Sequence, residues 1–147
     1  MHIRTSMEAN QTAELWKTFR IRLREIGAPP PRKFYSVQVF DPGASFAAFS
    51  PDSLFDKWAA IELDTDAAKP EGLDILILPA GLYAVFIHHG PAHSFPGTLQ
   101  FIFGQWLPNS DYTLDARPHF EIMDEHYHPL DPDAREEVWI PVRIKEK

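Results

Sequence analysis

Two glutamates in the last third of the chain lie where a carboxylate could do chemistry. Glu121 stands in the stretch RPHFEIM, and Glu137 stands in EEVWIPV. Side chains alternate along an extended chain, so Glu121 points away from Phe120 and Ile122. In an apolar pocket such a carboxylate recognises a cation or, with its pKa shifted, serves as a base. On a wet face it would be an ordinary solvated group.

Aromatic side chains could complete such a pocket. They make up 13% of the chain, which includes four Trp. A flat organic cation could stack on Trp58 or Trp139, and each cation–π contact contributes roughly 0.5–2 kcal/mol. Trp16 and Trp106 fall on apolar helix stripes, which places them in the core instead.

Other chemical patterns are weak. The stretch HHGPAH, residues 88–93, lacks the one-face helical spacing of zinc-binding histidines, and the chain has no cysteine. No Ser-His-Asp order or glycine-rich phosphate loop is present in the sequence. The sequence therefore predicts neither a metal nor a cofactor such as haem, and it gives no firm case for an enzyme.

Length and composition indicate one globular domain over residues 1–147. Hydrophobic residues form 44% of the chain and charged residues 24%. The net charge of −7 argues against a broad nucleic-acid surface. No apolar run is long enough for a membrane span, and the lack of cysteine fits a reducing cytoplasm.

Periodicity predicts a strand, a helix and two strands in the first half of the chain. The strand covers residues 1–7, the helix 11–26, and the further strands follow FYSVQVF and KWAAIELD. Segment 44–56 between those two strands is predicted to be irregular or to form one helical turn.

The second half repeats this order. A strand over residues 73–90 bends at Pro79, a helix covers 95–107, and two strands follow HFEIMDEH and EEVWIPVRI. The chain is thus predicted to be an α+β domain of two tandem βαββ modules.

Alternation in the last strand suggests a ligand-binding face. Val138, Ile140 and Val142 form an aliphatic face, which the helices are expected to cover. Polar and aromatic side chains are then expected to share the opposite face. The predicted ligand-binding set is Glu121, Trp139, Trp58, Met123, Glu137, Phe40, Gln38 and Phe95.

Five short motifs resemble one family. Tyr83-Ala84, Gly90-Pro91, Trp106-Leu107-Pro108, Phe120-Glu121 and Ile140-Pro141 keep the order and spacing of the GyrI-like small-molecule-binding domain, the effector-binding domain of AraC-type and MerR-type regulators. The resemblance implies two βαββ modules related by a pseudo-two-fold, with antiparallel sheets, helices on one face and a ligand cavity between the modules. It also implies that Glu121 attracts lipophilic cations, with Met123, Trp139 and Glu137 nearby.

The function predicted on this basis is binding of a lipophilic, aromatic or cationic small molecule, as a xenobiotic sensor or a sequestering protein. One alternative is a hydrolase of strained cyclopropane-bearing xenobiotics, with Glu121 as base and Trp58 and Trp139 as cage. Another is a protein-binding inhibitor of DNA gyrase type. No helix-turn-helix pattern precedes the domain, so direct DNA binding by this chain is not expected, and any protein partner is unidentified.

Overall fold

Within the residues that the structure describes, the domain has seven strands and two α-helices, and the strands pair antiparallel in one sheet. The computed structural model describes residues 1–31, 33–42, 50, 52–64 and 67–146. The strands are β1 (His2–Thr5), β2 (Lys33–Val39), β3 (Phe55–Ala60), β4 (Tyr83–His89), β5 (Tyr112–Leu114), β6 (His119–Asp124) and β7 (Arg135–Ile144). The helices are α1 (Thr12–Glu25) and α2 (Phe95–Phe101). The predicted α+β class and antiparallel pairing are confirmed.

The strand order across the sheet is β1-β3-β2-β6-β7-β4, and β5 pairs with the end of β7. The first half of the chain runs β-α-β-β, as the periodicity predicts. The second half runs β-α-β-β-β, because the short β5 precedes β6. The pseudo-two-fold relation between the two halves stays a prediction.

Both helices pack on the same face of the sheet, which we call the helix face. The apolar stripe of α1 buries Leu15, Phe19 and Leu23 against Ala59 of β3. Helix α2 continues as a π-helical turn, Ile102–Trp106, closed by a 2.8 Å bond from the Leu107 amide to the Ile102 carbonyl. Ile102 is fully buried in a second core, whose buried strand residues are Val138, Ile140 and Val142.

One predicted boundary needs correction. The strand predicted over residues 73–90 begins only at Tyr83. The preceding stretch instead packs Leu76 and Leu78 onto the other face of the sheet, where β2 and β6 bury Val37 and Phe120. The irregular segment predicted at 44–56 lies mostly outside the described residues. No helix within the described ranges has the length and apolarity to cross a bilayer.

Candidate functional site

Glu121 lies on the helix face, between the two helix-covered cores. Residues paired across neighbouring strands point to the same side of a sheet. Ala59 pairs with Ser36, Ser36 with Glu121, and Glu121 with Val138. Ala59 belongs to the core under α1, and Val138 belongs to the core that includes Ile102. Glu121 is thus the carboxylate at the centre of this row.

The Glu121 side chain is almost completely enclosed. Only 9% of the residue is exposed, and within the part of the chain that the structure describes one hydrogen bond reaches it: Gln38 Nε2 donates to Glu121 Oε1 at 3.2 Å. His119 and Met123, two positions away on the same strand, flank it and are buried as well. A carboxylate in such surroundings is costly to ionise unless an opposite charge is close.

A second carboxylate and an ammonium share this face. Glu136 pairs with Met123, and Lys57 pairs with Gln38, so both point to the Glu121 side of the sheet. Each is 8% exposed. The charge of Lys57 acts on both glutamates, although the described residues include no direct ion pair of Lys57. We call Lys57, Glu121 and Glu136 the buried charge cluster.

Burial shifts the protonation of the whole cluster. It raises the pKa of Glu121, against which the charge of Lys57 and the bond from Gln38 act. Burial, followed by the negative charge of Glu121, raises the pKa of Glu136 to about 7. Burial lowers the pKa of Lys57, although both glutamates act in the opposite direction. The two carboxyls therefore bind a proton more tightly than free glutamates do.

A neutral histidine adjoins the cluster. Burial lowers the pKa of His119 to about 4, so its imidazole is uncharged at neutral pH. Its ring lies 5.0 Å from the ring of Phe40 and 6.2 Å from that of Phe103. Flat apolar surfaces thus border the buried charges on this side.

The opposite side of the sheet is an aromatic face, formed mainly by Trp58, Phe120, Trp139 and Tyr83. Val37 pairs with both Trp58 and Phe120, and Phe120 pairs with Trp139. The Phe120 and Trp139 rings stack at 5.3 Å, and Tyr83 meets both edge-on. The Phe120, Trp139 and Tyr83 rings thus pack against one another, as in an ordinary core, and the Trp58 ring stacks on His2 at 4.2 Å.

The predicted grouping of Glu121 with Trp58, Trp139 and Glu137 on one face is wrong. Glu121 pairs with Val138, which puts Trp139 and Glu137 on the other side of β7. Glu137 instead accepts a 3.2 Å bond from Trp139 Nε1. The cage of tryptophans around Glu121 that the hydrolase alternative requires is therefore absent from this arrangement.

Comparison with known sequences places the chain in a family. The model of the GyrI-like small molecule binding domain matches residues 1–143. The chain belongs to this family. The GyrI-like chain is also 29% identical over 139 residues to the transcriptional regulator BrlR of Pseudomonas aeruginosa. That match covers 93% of the chain and 48% of BrlR, so the chain spans about half the length of this curated relative.

The other predicted site residues of this GyrI-like domain lie on the helix face. Gln38 bonds Glu121, and Met123 follows it on the same side of β6. Phe40 contacts His119, as described above. Phe95, at the start of α2, meets the His88 ring edge-on at 5.3 Å. The structure thus places Gln38 and Met123 next to Glu121. Phe40 lies one residue further out, against His119, and Phe95 lies at the N-terminal end of α2.

Sequence reasoning missed three side chains of the site, Lys57, Glu136 and His119. Glu136 precedes Val138 by two positions, so it continues the aliphatic face of the last strand. Lys57 stands between Phe55 and Ala59, which are both buried. A charged residue in phase with a buried apolar stripe was the available signal.

A separate depression of about 420 Å³ lies along the β4 edge of the GyrI-like domain and opens widely to solvent. It is lined by Phe86, Ile87, His88, His89, Ser94, Gly97, Thr98 and Phe101. Its buried His88 is already bonded, with Nδ1 at 2.6 Å from the Thr98 hydroxyl and Nε2 at 3.2 Å from the Pro91 carbonyl. The buried charge cluster is the stronger candidate for ligand recognition, because Gln38 and Tyr127, the side chains that bond Glu121 and Glu136, are neutral and supply no counter-charge.

Proposed function

We propose that this GyrI-like domain binds a flat, lipophilic small molecule on the helix face, between α1 and α2, and that Glu121 recognises positive charge on it. The observation that carries the proposal is the burial of Glu121 with a neutral hydrogen-bond donor, Gln38, as its single partner among the described residues. Gln38, Met123 and Phe40 would contribute the surrounding contacts. Trp58, Trp139 and Glu137 have no part in this proposal, because they lie on the aromatic face.

The physical basis is the cost of an ionised carboxylate away from water. Burial raises the pKa of Glu121 and so favours its protonated form in the empty site. A bound organic cation would favour the ionised form, and the carboxylate–cation contact would strengthen in the low-dielectric surroundings. A neutral molecule of the same shape gains nothing from this step. Charge selectivity therefore follows from burial.

A sensing role fits better than sequestration, since the related protein BrlR is named a transcriptional regulator. The chain itself carries a net charge of −7, which repels a polyanion, so we do not expect it to hold DNA. In this proposal a change in the site on ligand binding would be passed to whichever protein or domain acts on DNA.

Glu121→Gln tests the proposal, because it keeps the shape of the side chain and removes its charge. The probes are two pairs of flat compounds matched in shape: acridine with N-methylacridinium, and bipyridine with its monomethyl cation. Affinity for the cations, measured by calorimetry at mildly alkaline pH, should fall by roughly 1.5–3 kcal/mol. The neutral members should lose much less, and the empty variant should be as stable as the wild type or more so.

Glu137→Gln is the matched control, because it removes a glutamate from the opposite face of the same sheet. It should leave the affinities for both members of each pair unchanged. Equal losses for cations and neutral compounds in Glu121→Gln, or no binding of any probe, would contradict the proposal. Following each probe over time shows whether it is consumed, which would bring the hydrolase alternative back.

A further inference from the structure

The buried charge cluster contains a cation of its own, and this has consequences for the ligand. Lys57 is 8% exposed and pairs with Gln38, the residue that bonds Glu121. Both Glu121 and Glu136 act electrostatically on its ammonium. Buried ammonium groups are costly unless charges of opposite sign compensate them. The cluster is thus a three-membered set, and its charges must be counted together.

The count is two carboxyls to one amine. With all three groups ionised the cluster would carry one net negative charge inside the protein. With one carboxyl protonated it would be neutral. The raised pKa values of Glu121 and Glu136 support the second state for the empty protein. In this state one proton neutralises the negative charge that a cationic ligand could otherwise neutralise.

We propose that Lys57 is the resident counter-cation of Glu121 and Glu136 and that it sets the charge of the preferred ligand at one. This inference rests on the proposed function and specifies its ligand class, a singly charged organic cation. Binding such a ligand replaces the shared proton and leaves the cluster neutral. A doubly charged cation would leave one uncompensated positive charge in the site, next to the Lys57 ammonium.

The test uses one two-ring frame in three charge states: bipyridine, its monomethyl cation, and the dimethyl dication methyl viologen. In the wild type the monocation should bind more tightly than the dication. Lys57→Met keeps an unbranched side chain of nearly the same length and removes its charge, so two carboxylates become available to the ligand. The dication-to-monocation affinity ratio should then rise by about tenfold or more, the equivalent of one pKa unit.

Lys17→Met is the control, because Lys17 lies exposed on α1. It should leave the ratio unchanged. A ratio in Lys57→Met that stays within about twofold of the wild type would overturn the role of Lys57, even if all the probes bind. The failure of every probe would instead count against the proposed function.

A second measurement needs no ligand. Carbon-13 spectra of the glutamate carboxyls, recorded against pH, follow the titration of Glu121 and Glu136 in the empty protein. Removing the Lys57 charge should move their titration upward by about one pH unit or more. Unchanged titration in a folded Lys57→Met protein would show that Lys57 does not compensate the pair, and the inference would fall.

Discussion

The two faces of the central strands bury side chains of different kinds: the aromatic face buries packed rings, and the helix face buries charged groups. On the aromatic face, Phe120 stacks on Trp139 and meets Tyr83, so its surface is used by other rings. On the helix face, Glu121 is buried to a similar extent but has one hydrogen-bond donor and no direct counter-ion within the described residues. Neighbouring residues of one strand are thus placed in opposite electrostatic conditions.

This difference separates stability from recognition. Stacked rings gain free energy from area removed from water and from edge and face contacts. A buried carboxylate gains nothing in the empty protein and becomes favourable only with a charge partner. We therefore expect mutations on the aromatic face to change the free energy of unfolding and mutations on the helix face to change charge selectivity.

The largest effect should come from Phe120→Ala. Phe120 is 5% exposed at the centre of the aromatic face, and truncating it leaves a cavity among Tyr35, Tyr83 and Trp139. The free energy of unfolding, measured by urea denaturation, should fall by about 3–5 kcal/mol. Under conditions where the variant stays folded, the cation-to-neutral affinity ratio should match that of the wild type. A lost ratio would mean that the two faces are not independent.

The separation of the faces also shows what the sequence could predict. Alternation correctly opposed Glu121 to Phe120 and Ile122, because the side-chain period within one strand is two residues. It could not match faces between strands, since that depends on register. A one-residue difference in pairing between β6 and β7 decides whether Glu121 faces Val138 or Trp139. The α+β class and the element order of the first half needed no register and were predicted correctly, whereas the short β5 of the second half was missed.

Lys57 and Glu136 show a second limit of the sequence. Charged residues are rarely buried, so a lysine or glutamate beside a strand is assigned to solvent by default. Their burial belongs to the assembled sheet, where Phe55, Ala59 and Val138 on the same face are buried as well. The phase of Glu136 with Val138 and Ile140 hinted at it, but only the assembled sheet brings Glu136 and Lys57 to the same side as Glu121.

The next largest effect should appear in the pH dependence of the free energy of unfolding of Glu136→Gln. The pKa of Glu136 rises from 4.5 to about 7 on folding, so between these values the folded state holds a proton that the unfolded state has lost. This group therefore stabilises the protein fully at low pH, and that stability is lost as the pH rises towards 7. The Glu136→Gln variant lacks this carboxyl. Between pH 4.5 and about 7 its free energy of unfolding should therefore fall by on the order of 3 kcal/mol less than that of the wild type.

The measurement is the difference in unfolding free energy between the variant and the wild type at each pH, which cancels groups common to both. His119 makes that subtraction necessary. Its pKa falls from 6.5 to about 4 on folding, so its contribution is lost as the pH falls and opposes that of Glu136 over much of the same window. A difference that stays flat from acid to neutral pH would contradict the burial of an ionising Glu136.

The smallest effect should come from Gln38→Met, which removes the side-chain donor to Glu121 and keeps the length of the side chain. In the empty protein burial raises the pKa of Glu121, which shares the proton of the cluster with Glu136, so the 3.2 Å bond contributes little and stability should change by less than about 1 kcal/mol. With a monocation bound, Glu121 is ionised, and a donor to a charged acceptor is worth about 1.5 kcal/mol or more. The cation affinity should fall by about that amount, while the neutral probe should lose almost nothing.

Val39→Ala, one position along on the aromatic side of β2, is the control, and it should reduce stability without altering the cation-to-neutral affinity ratio. If Gln38→Met destabilised the empty protein as much as it weakened cation binding, Glu121 would already be ionised before the ligand arrives, and its selectivity could not depend on burial.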